Sequence, residues 1–418
     1  MNYKPDIKSD MKADVDRGEA TSLMEPLLIS EGSRHRGELT DLAVELAQKS
    51  AGFRQSMPNS LLTSLSDLVR AMNCYYSNLI EGHDTHPVDI ERALKGDYSK
   101  DARKRDLQVE ARAHISVQQW IDHGGLAGRA QTVNGVREIH FRFGELLPND
   151  LLWVEDPKTK ERLRVEPGEL RTRDVMVGNH VPVSPGAVPR FLKRFEEGYG
   201  RLNKTDSILG LASAHHRVAW IHPFLDGNGR VARLMSHAAL LDALDTGGVW
   251  SVARGLARNV ESYKAHLAEC DVVRRNDLDG RGHLSEEALA SFTGFFLRIC
   301  IDQVNFMEGL MQPTQLRTRI LLWAEEEGRI GSLPPKSGNI LEALLYRGEL
   351  PRSDVAAVVG TGDRQARRIV SALGEKRIVI SESPKSPIRL AFPAAIAPRW
   401  MPGLFPEKVN TDNSGRSD

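Results

Sequence analysis

The chain has 418 residues, in which 56 Lys+Arg balance 56 Asp+Glu, with 27% charged and 40% hydrophobic residues. That length suits two or three domains rather than one small core, and the composition is ordinary for a globular protein in water. A net charge of zero excludes a global electrostatic pull toward nucleic acid or membrane, so any such affinity has to come from a local patch.

The N-terminal stretch, to about residue 35, is polar and weakly patterned and lacks the apolar core of a signal peptide. No run approaches the roughly 18 to 20 apolar residues that cross a bilayer. The cysteines, Cys74, Cys270 and Cys300, are far apart and form no CxxC pair, which argues against a disulfide framework or a structural zinc site. The expectation is a cytoplasmic protein with no membrane partner.

Helical periodicity is strong from Asn59 to Glu81. Leu61, Leu62, Leu65, Leu68, Val69, Met72, Tyr75, Tyr76, Leu79 and Ile80 recur at steps of three and four. Asn59 or Ser60 after Pro58 can start this helix, and Gly82 sits where a left-handed residue would end it. Two more helical runs follow near 87–95 and 101–123. Residues 150–183 read as two pairs of short strands, the second interrupted by Gly178. From Val188 to about 328 the pattern is helical again. A Pro/Gly/Ser-rich stretch at 331–339 reads as a linker, 340–393 as a compact unit, and the polar tail after Pro402 as unstructured.

The most informative segment is Trp220 to Arg233, WIHPFLDGNGRVAR, a tight loop between two apolar helical runs. Gly227 and Gly229 let the backbone approach a ligand closely, and successive N–H groups there form an anion-binding nest. The next helix directs its positive end at the same place. Arg230 and Arg233, three apart, share one face of it, and two guanidinium groups beside an amide nest cradle a polyphosphate. Asp226 offers one carboxylate suited to Mg²⁺ shared with phosphate oxygens, and His222 a base near neutrality. Phe224 is an apolar anchor. Taken singly, each of these residues has an ordinary structural explanation; their combination within twelve positions does not.

His222, Phe224, Asp226, Gly227, Asn228, Gly229, Arg230 and Arg233 fill every specified position of HxFx(D/E)GNGRxxR, and the segment resembles the Fic family. The resemblance implies a mainly α fold with a Fic-type helical core and a small β-hairpin flap. It implies His222 as general base on a target hydroxyl and Asp226 as the Mg²⁺ ligand. Asn228 and the loop amides would hold the α- and β-phosphates, Arg230 the β-phosphate and Arg233 the γ-phosphate. Gly168 to Gly178, with Arg171, Val175 and Val177, resembles the flap that receives a target segment as an added strand. Asn259 and Tyr263 resemble residues bordering the nucleoside. Ser77-Asn-Leu-Ile-Glu81-Gly82 resembles the family's inhibitory motif (S/T)xxxE(G/N), which implies that Glu81 pairs with Arg233 and bars the γ-phosphate.

Downstream, three short helical runs and two alternating stretches, Ile378–Ser381 and Ile388–Ala391, resemble a winged helix. Residues 336–393 hold ten Lys+Arg against six Asp+Glu, with Arg364, Arg367 and Arg368 on the would-be recognition helix. So small an excess is a weak footprint for DNA, and protein docking or self-association is favoured. Asp277-Leu-Asp279 invites a calcium-loop reading, but Arg281 and Ala288 fall where oxygen ligands are needed. The adjacent His215 and His216 face about 100° apart on a helix and so do not share a metal.

The expected organisation is an N-terminal helical region, 1–130, with the inhibitory helix at about 59–82. A catalytic core with flanking helices follows at 131–330, then a winged helix at 336–396 and a disordered tail at 403–418. The expected activity is transfer of AMP from ATP, with Mg²⁺, to a Ser, Thr or Tyr hydroxyl of a protein, restrained by Glu81. Removal of AMP, other nucleotidyl or phosphoryl transfer, or a nucleotide-sensing DNA-binding regulator stand as alternatives. Homodimerisation and DNA contact through the winged helix stay open.

Overall fold

The computed structural model describes residues 15–156 and 160–406, together with the backbone of Asp6–Ile7. The chain divides into two compact units, Met1–Arg54 with Asn73–Asn305, and Gln55–Met72 with Phe306–Asp418. Among the described residues the fold is mainly α and the strands are short.

In chain order the elements are β1 (Asp6–Ile7), α1 (Arg36–Gln55), α2 (Asn59–Ile80), α3 (Pro87–Leu94), α4 (Ala102–Asp122) and α5 (Val133–Glu145). Three strands follow: β2 (Trp153–Glu155), β3 (Arg162–Arg164) and β4 (Val175–Met176). Then come α6 (Val188–Tyr199), α7 (Lys204–Ile221), α8 (Asn228–Leu244), α9 (Val252–Arg258), α10 (Val260–Cys270) and α11 (Glu286–Met311). The division into units passes through α2 after Met72 and through α11 after Asn305.

In the first unit, α7 and α8 form the middle of the core, because both are buried on nearly every face. The amphipathic α6 lays Val188, Phe191, Leu192, Phe195 and Tyr199 inward, and it packs along α7. Helices α4 and α5 pack against α8. Local signals set the helix starts: the side chains of Asp101, Thr132 and Asn203 accept from the backbone N–H groups of Lys104, Gly135 and Asp206. The C-terminal end of α2 is fixed by Gly82, with φ +82°.

The strands are small. β2 and β3 form an antiparallel hairpin with Val154 opposite Leu163, and the guanidinium of Arg162 lies 5.3 Å from the ring centre of Trp153. β4 pairs antiparallel with β1, Ile7 opposite Val175. Arg17 and Glu19 are tied to the same region. Arg17 makes a bidentate pair with Asp174 at 2.9 and 3.0 Å, and Glu19 accepts from the Ser184 backbone and hydroxyl. Asp279 spends its carboxylate on the Ser285 hydroxyl and the N–H groups of Arg275 and Glu287. It therefore shapes the turn into α11.

The second unit continues with α12 (Pro313–Arg329), α13 (Ser337–Arg347), β5 (Glu349–Leu350), α14 (Val355–Val359), α15 (Asp363–Glu375), β6 (Val379–Ile380), β7 (Ile388–Leu390) and α16 (Ala397–Trp400). The sheet order is β5-β7-β6, all antiparallel. Helix α13 starts inside the stretch read as a linker, because Ser337 closes a turn onto the Pro334 carbonyl and Lys336 adopts φ +70°. Helix α14 is shorter than its sequence pattern, and β5 carries no alternation long enough to read. Trp400 stacks edge-on to Trp323 at 5.3 Å. Leu404 and Phe405 are buried as well, and the rest of the tail, 407–418, lies outside the described residues. Among the described residues no helix is long and apolar enough to cross a membrane.

Candidate active site

Helix α7 ends at His222, which adopts φ +51° and ψ 63°. A non-glycine residue in that region is strained and needs its neighbours to hold it. The His222 N–H donates to the Val218 carbonyl at 3.1 Å. Arg171, buried in the segment before β4, donates from Nε to the His222 carbonyl at 2.7 Å and from its amines to the carbonyls of Arg173 and Val183 at 3.0 and 2.5 Å. Its own N–H reaches the Pro223 carbonyl at 2.9 Å. Burial pulls the Arg171 guanidinium down to about 10, so it stays a cation beneath the end of α7.

The loop closes on itself. The Asn228 side chain accepts from the Phe224 N–H at 2.9 Å and donates to the Phe224 carbonyl at 2.8 Å. That side chain is spent on loop shape, and what Asn228 presents outward is its backbone N–H at the start of α8, which has no intrahelical acceptor. Phe224 is fully buried and stacks on His140, with ring centres 3.9 Å apart and planes 2° from parallel. His140 accepts from the Gly168 N–H at 2.8 Å and hydrogen-bonds to the Asp226 backbone. Burial holds this imidazole down to about 4, hence neutral, so it joins flap and loop without adding charge. Gly227, at φ +80°, supplies the left-handed residue from which α8 starts.

The charges around the loop are paired. Arg233 donates to the Ser77 hydroxyl at 2.8 Å and to Glu81 Oε1 at 2.5 Å. Burial alone would raise the Glu81 carboxyl, but Arg233 and Arg230 outweigh it and hold Glu81 below its ordinary value. A Cβ on Gly229 would lie 2.5 Å from Glu81 Oε1, so the absence of a side chain there is what admits this carboxylate. Arg230 pairs with Glu110 of α4 at 2.9 Å. His222 is half-buried; loss of solvation, aided by the Arg171 cation, lowers its imidazole to about 3. The neutral ring sets Nδ1 3.4 Å from the Ala219 carbonyl, which leaves Nε2 as the proton acceptor.

Asp226 is exposed at the rim of the loop, and no hydrogen bond or ion pair engages its carboxylate among the described residues. No group of three or more His, Cys, Asp or Glu among those residues could cage a metal. One open carboxylate beside a phosphate cradle suits Mg²⁺ carried by phosphate oxygens.

The structure thus brings together Ser77, Glu81, His222, Asp226, Gly227, Asn228, Gly229, Arg230 and Arg233. Val175 is buried in the flap, and Gly178, at φ +62°, makes the tight turn that lets Val177 and His180 exchange backbone hydrogen bonds. Arg171, Asn259 and Tyr263 have the following surroundings. Arg171 faces inward beneath His222. Asn259 is exposed and donates to the Gly255 carbonyl at 2.9 Å. Tyr263 is buried with its hydroxyl 2.6 Å from His215 Nε2, and His215 bonds Ser236 on its other side at 2.8 Å. His216 instead bonds Asp271 at 2.9 Å, so the two adjacent histidines serve different partners. Glu110 and His140 carry no local sequence signal; each is recruited across the fold.

Residues 132–240 match the model of the Fic/DOC family. Protein adenylyltransferase Fic of Drosophila grimshawi is 29% identical over 171 residues, 40% of this chain and 32% of that protein. The Drosophila mojavensis protein of the same name is 27% identical over 187 residues, 44% of this chain and 34% of that protein. The chain therefore spans about a third of the length of these curated relatives. The solved structure of Fic-1 from C. elegans superposes with a TM-score of 0.50 at 17% identity, covering 66% of this chain and 74% of that one, a likeness of fold.

Proposed function

We propose that this chain, whose residues 132–240 form a Fic/DOC domain, transfers AMP from ATP to a hydroxyl of a protein target, and that Glu81 restrains the reaction. The observation that carries this reading is the pairing of a neutral His222 with the N-terminus of α8, flanked by Arg230 and Arg233. It supports a reading in which a proton acceptor stands beside a polyphosphate cradle.

In this reading His222 Nε2 takes the proton of the target hydroxyl. The hydroxyl oxygen forms a bond to the α-phosphorus, the bond from that phosphorus to the bridging oxygen breaks, and pyrophosphate leaves. The loop amides and Arg230 stabilise the charge that builds on the leaving phosphate, and no covalent intermediate with the protein is needed. Asp226 would hold Mg²⁺, which supplies charge neutralisation when bound with ATP. Arg233 would clamp the γ-phosphate once Glu81 leaves it. With Glu81 in place the γ-phosphate finds no cation, and a misplaced α-phosphate reacts slowly.

The target segment would add to the flap beside β4. Residues 1–130 would carry the inhibitory helix, 131–330 the catalytic core, and 336–396 a winged helix that selects protein partners.

The test is the position of the label. Glu81→Gly protein with Mg²⁺ and α-³²P-ATP is expected to label itself or an added protein, whereas γ-³²P-ATP is expected to leave no label. Label from the γ-position would make the reaction phosphoryl transfer and overturn the proposal.

A further inference from the structure

The two loop arginines are held by different means. Arg233 is held by Glu81, which follows the last residue of α2 and precedes Gly82 at φ +82°. Its side chain is 29% exposed, in the turn that follows the helix. Arg230 is held by Glu110, which lies in the interior of α4 with regular helix on both sides. Arg230 and Glu110 are 11% and 15% exposed, and Arg230 donates to Glu110 Oε2 at 2.9 Å. The ring of Phe143 lies 5.2 Å from the guanidinium carbon, and Arg230 Nε is buried with no partner. His83 Nδ1 stands 3.5 Å from the same Glu110 oxygen.

A polyphosphate entering this loop repels both carboxylates. Glu81 is the one a phosphate would displace, because it lies beyond the end of its helix, is partly exposed, and stands over Gly229 where a phosphate would sit. Glu110 cannot follow it, since the helix fixes its backbone. A guanidinium has five N–H donors in a rigid fork, so one amine committed to Glu110 sets the direction of the others. Without that anchor, Arg230 would be a buried cation one helical turn from Arg233, with no acceptor to fix the direction of its donors.

We propose that Glu110 is a positioning residue that holds the Arg230 guanidinium so that its remaining donors face the β-phosphate of the nucleotide. Glu81 and Glu110 then have opposite roles: one is a removable occupant of the phosphate site, the other a permanent anchor for its wall. The proposal rests on the reading of the 222–233 loop as a nucleotide site, but not on the reaction carried out there.

The test is binding, in Glu81→Gly protein so that the competing carboxylate is absent. Calorimetric Kd values for AMP and ADP, both with Mg²⁺, give the preference for the β-phosphate as a ratio. That ratio is expected to favour ADP in the parent and to fall about tenfold with Glu110→Ala. Glu110→Gln, whose amide oxygen still accepts from Arg230, is expected to keep it within about threefold. Should the alanine protein fail to fold, Glu110→Asp withdraws the carboxylate by one methylene and is expected to lower the ratio as well. A ratio unchanged or raised in the Ala or Asp protein, or a parent with no preference for ADP, would overturn the proposal. A parent that prefers ADP yet transfers no label from α-³²P-ATP would remove AMP transfer and leave the role of Glu110 standing.

Discussion

In the proposed reaction His222 accepts a proton at a position where burial makes protonation difficult. Its imidazole is lowered from 6.5 to about 3, chiefly by desolvation, so the ring is neutral wherever the protein is folded near neutrality. Glu81, held below 4.5, stays charged over the same range. His114, His140, His215 and His216 are likewise lowered by burial, to about 3 or 4. The two consequences of acid therefore separate. The unfolded chain takes up protons at these histidines as pH falls through about 6.5 while the folded chain does not, so stability is full above that value and lost on going down toward 4. The base meanwhile remains unprotonated. Label transfer by Glu81→Gly protein is expected to change less than about twofold between pH 8 and 6, while the thermal midpoint begins to fall below about pH 6.5. An activity loss centred near 6.5 with an unchanged midpoint would contradict this assignment.

At the scale of elements, the site is a junction between the end of α7, the start of α8 and the segment leading into β4. Arg171 joins them through three carbonyls within 3.0 Å, those of His222, Val183 and Arg173. Removing it leaves buried carbonyls unsatisfied and the left-handed His222 unsupported, each such carbonyl costing about 1 to 3 kcal/mol. In the Glu81→Gly background, Arg171→Ala is expected to lower the thermal midpoint and to reduce label transfer at least about tenfold, because a misplaced base is costly. Arg171→Lys, with fewer donors and no planar fork, should fall between. Unaltered transfer by the alanine protein would show that the flap and the base are independent.

The helices that frame the loop were legible in the sequence because their apolar periods are long: α2 runs Asn59–Ile80 and ends at Gly82, as its stripe and glycine indicate. The motif brought its own residues close because they are neighbours in sequence. What could not be read is what arrives from a distance. Glu110 is 120 positions from Arg230, and one glutamate on a charged helix has no pattern of its own. His140 stacks on Phe224 only because α5 packs against α8. The two-residue strand β5 has no alternation to detect, whereas β6 and β7 fall within the alternating stretches Ile378–Ser381 and Ile388–Ala391. Trp400, by contrast, sits in a stretch rich in Pro and Ala and becomes core through Trp323.

For the whole molecule, the central claim is that an assembled transfer site is kept idle by one carboxylate of the same chain. Ser77, Glu81 and the complete loop all belong to the first unit, so the proposed restraint and the proposed chemistry would lie in one compact body. The Glu81–Arg233 pair is short and charge-assisted, and on the proposed reading it occupies the cation that would meet a γ-phosphate. The most direct measurement compares label incorporated from α-³²P-ATP at matched ATP and Mg²⁺ by wild type, Glu81→Gly, and Glu81→Gly with His222→Ala. Transfer is expected to rise at least about tenfold in the first variant and to fall by about 10² or more from that level in the second. Equal labelling by wild type and Glu81→Gly, or strong labelling that survives loss of His222, would contradict the account.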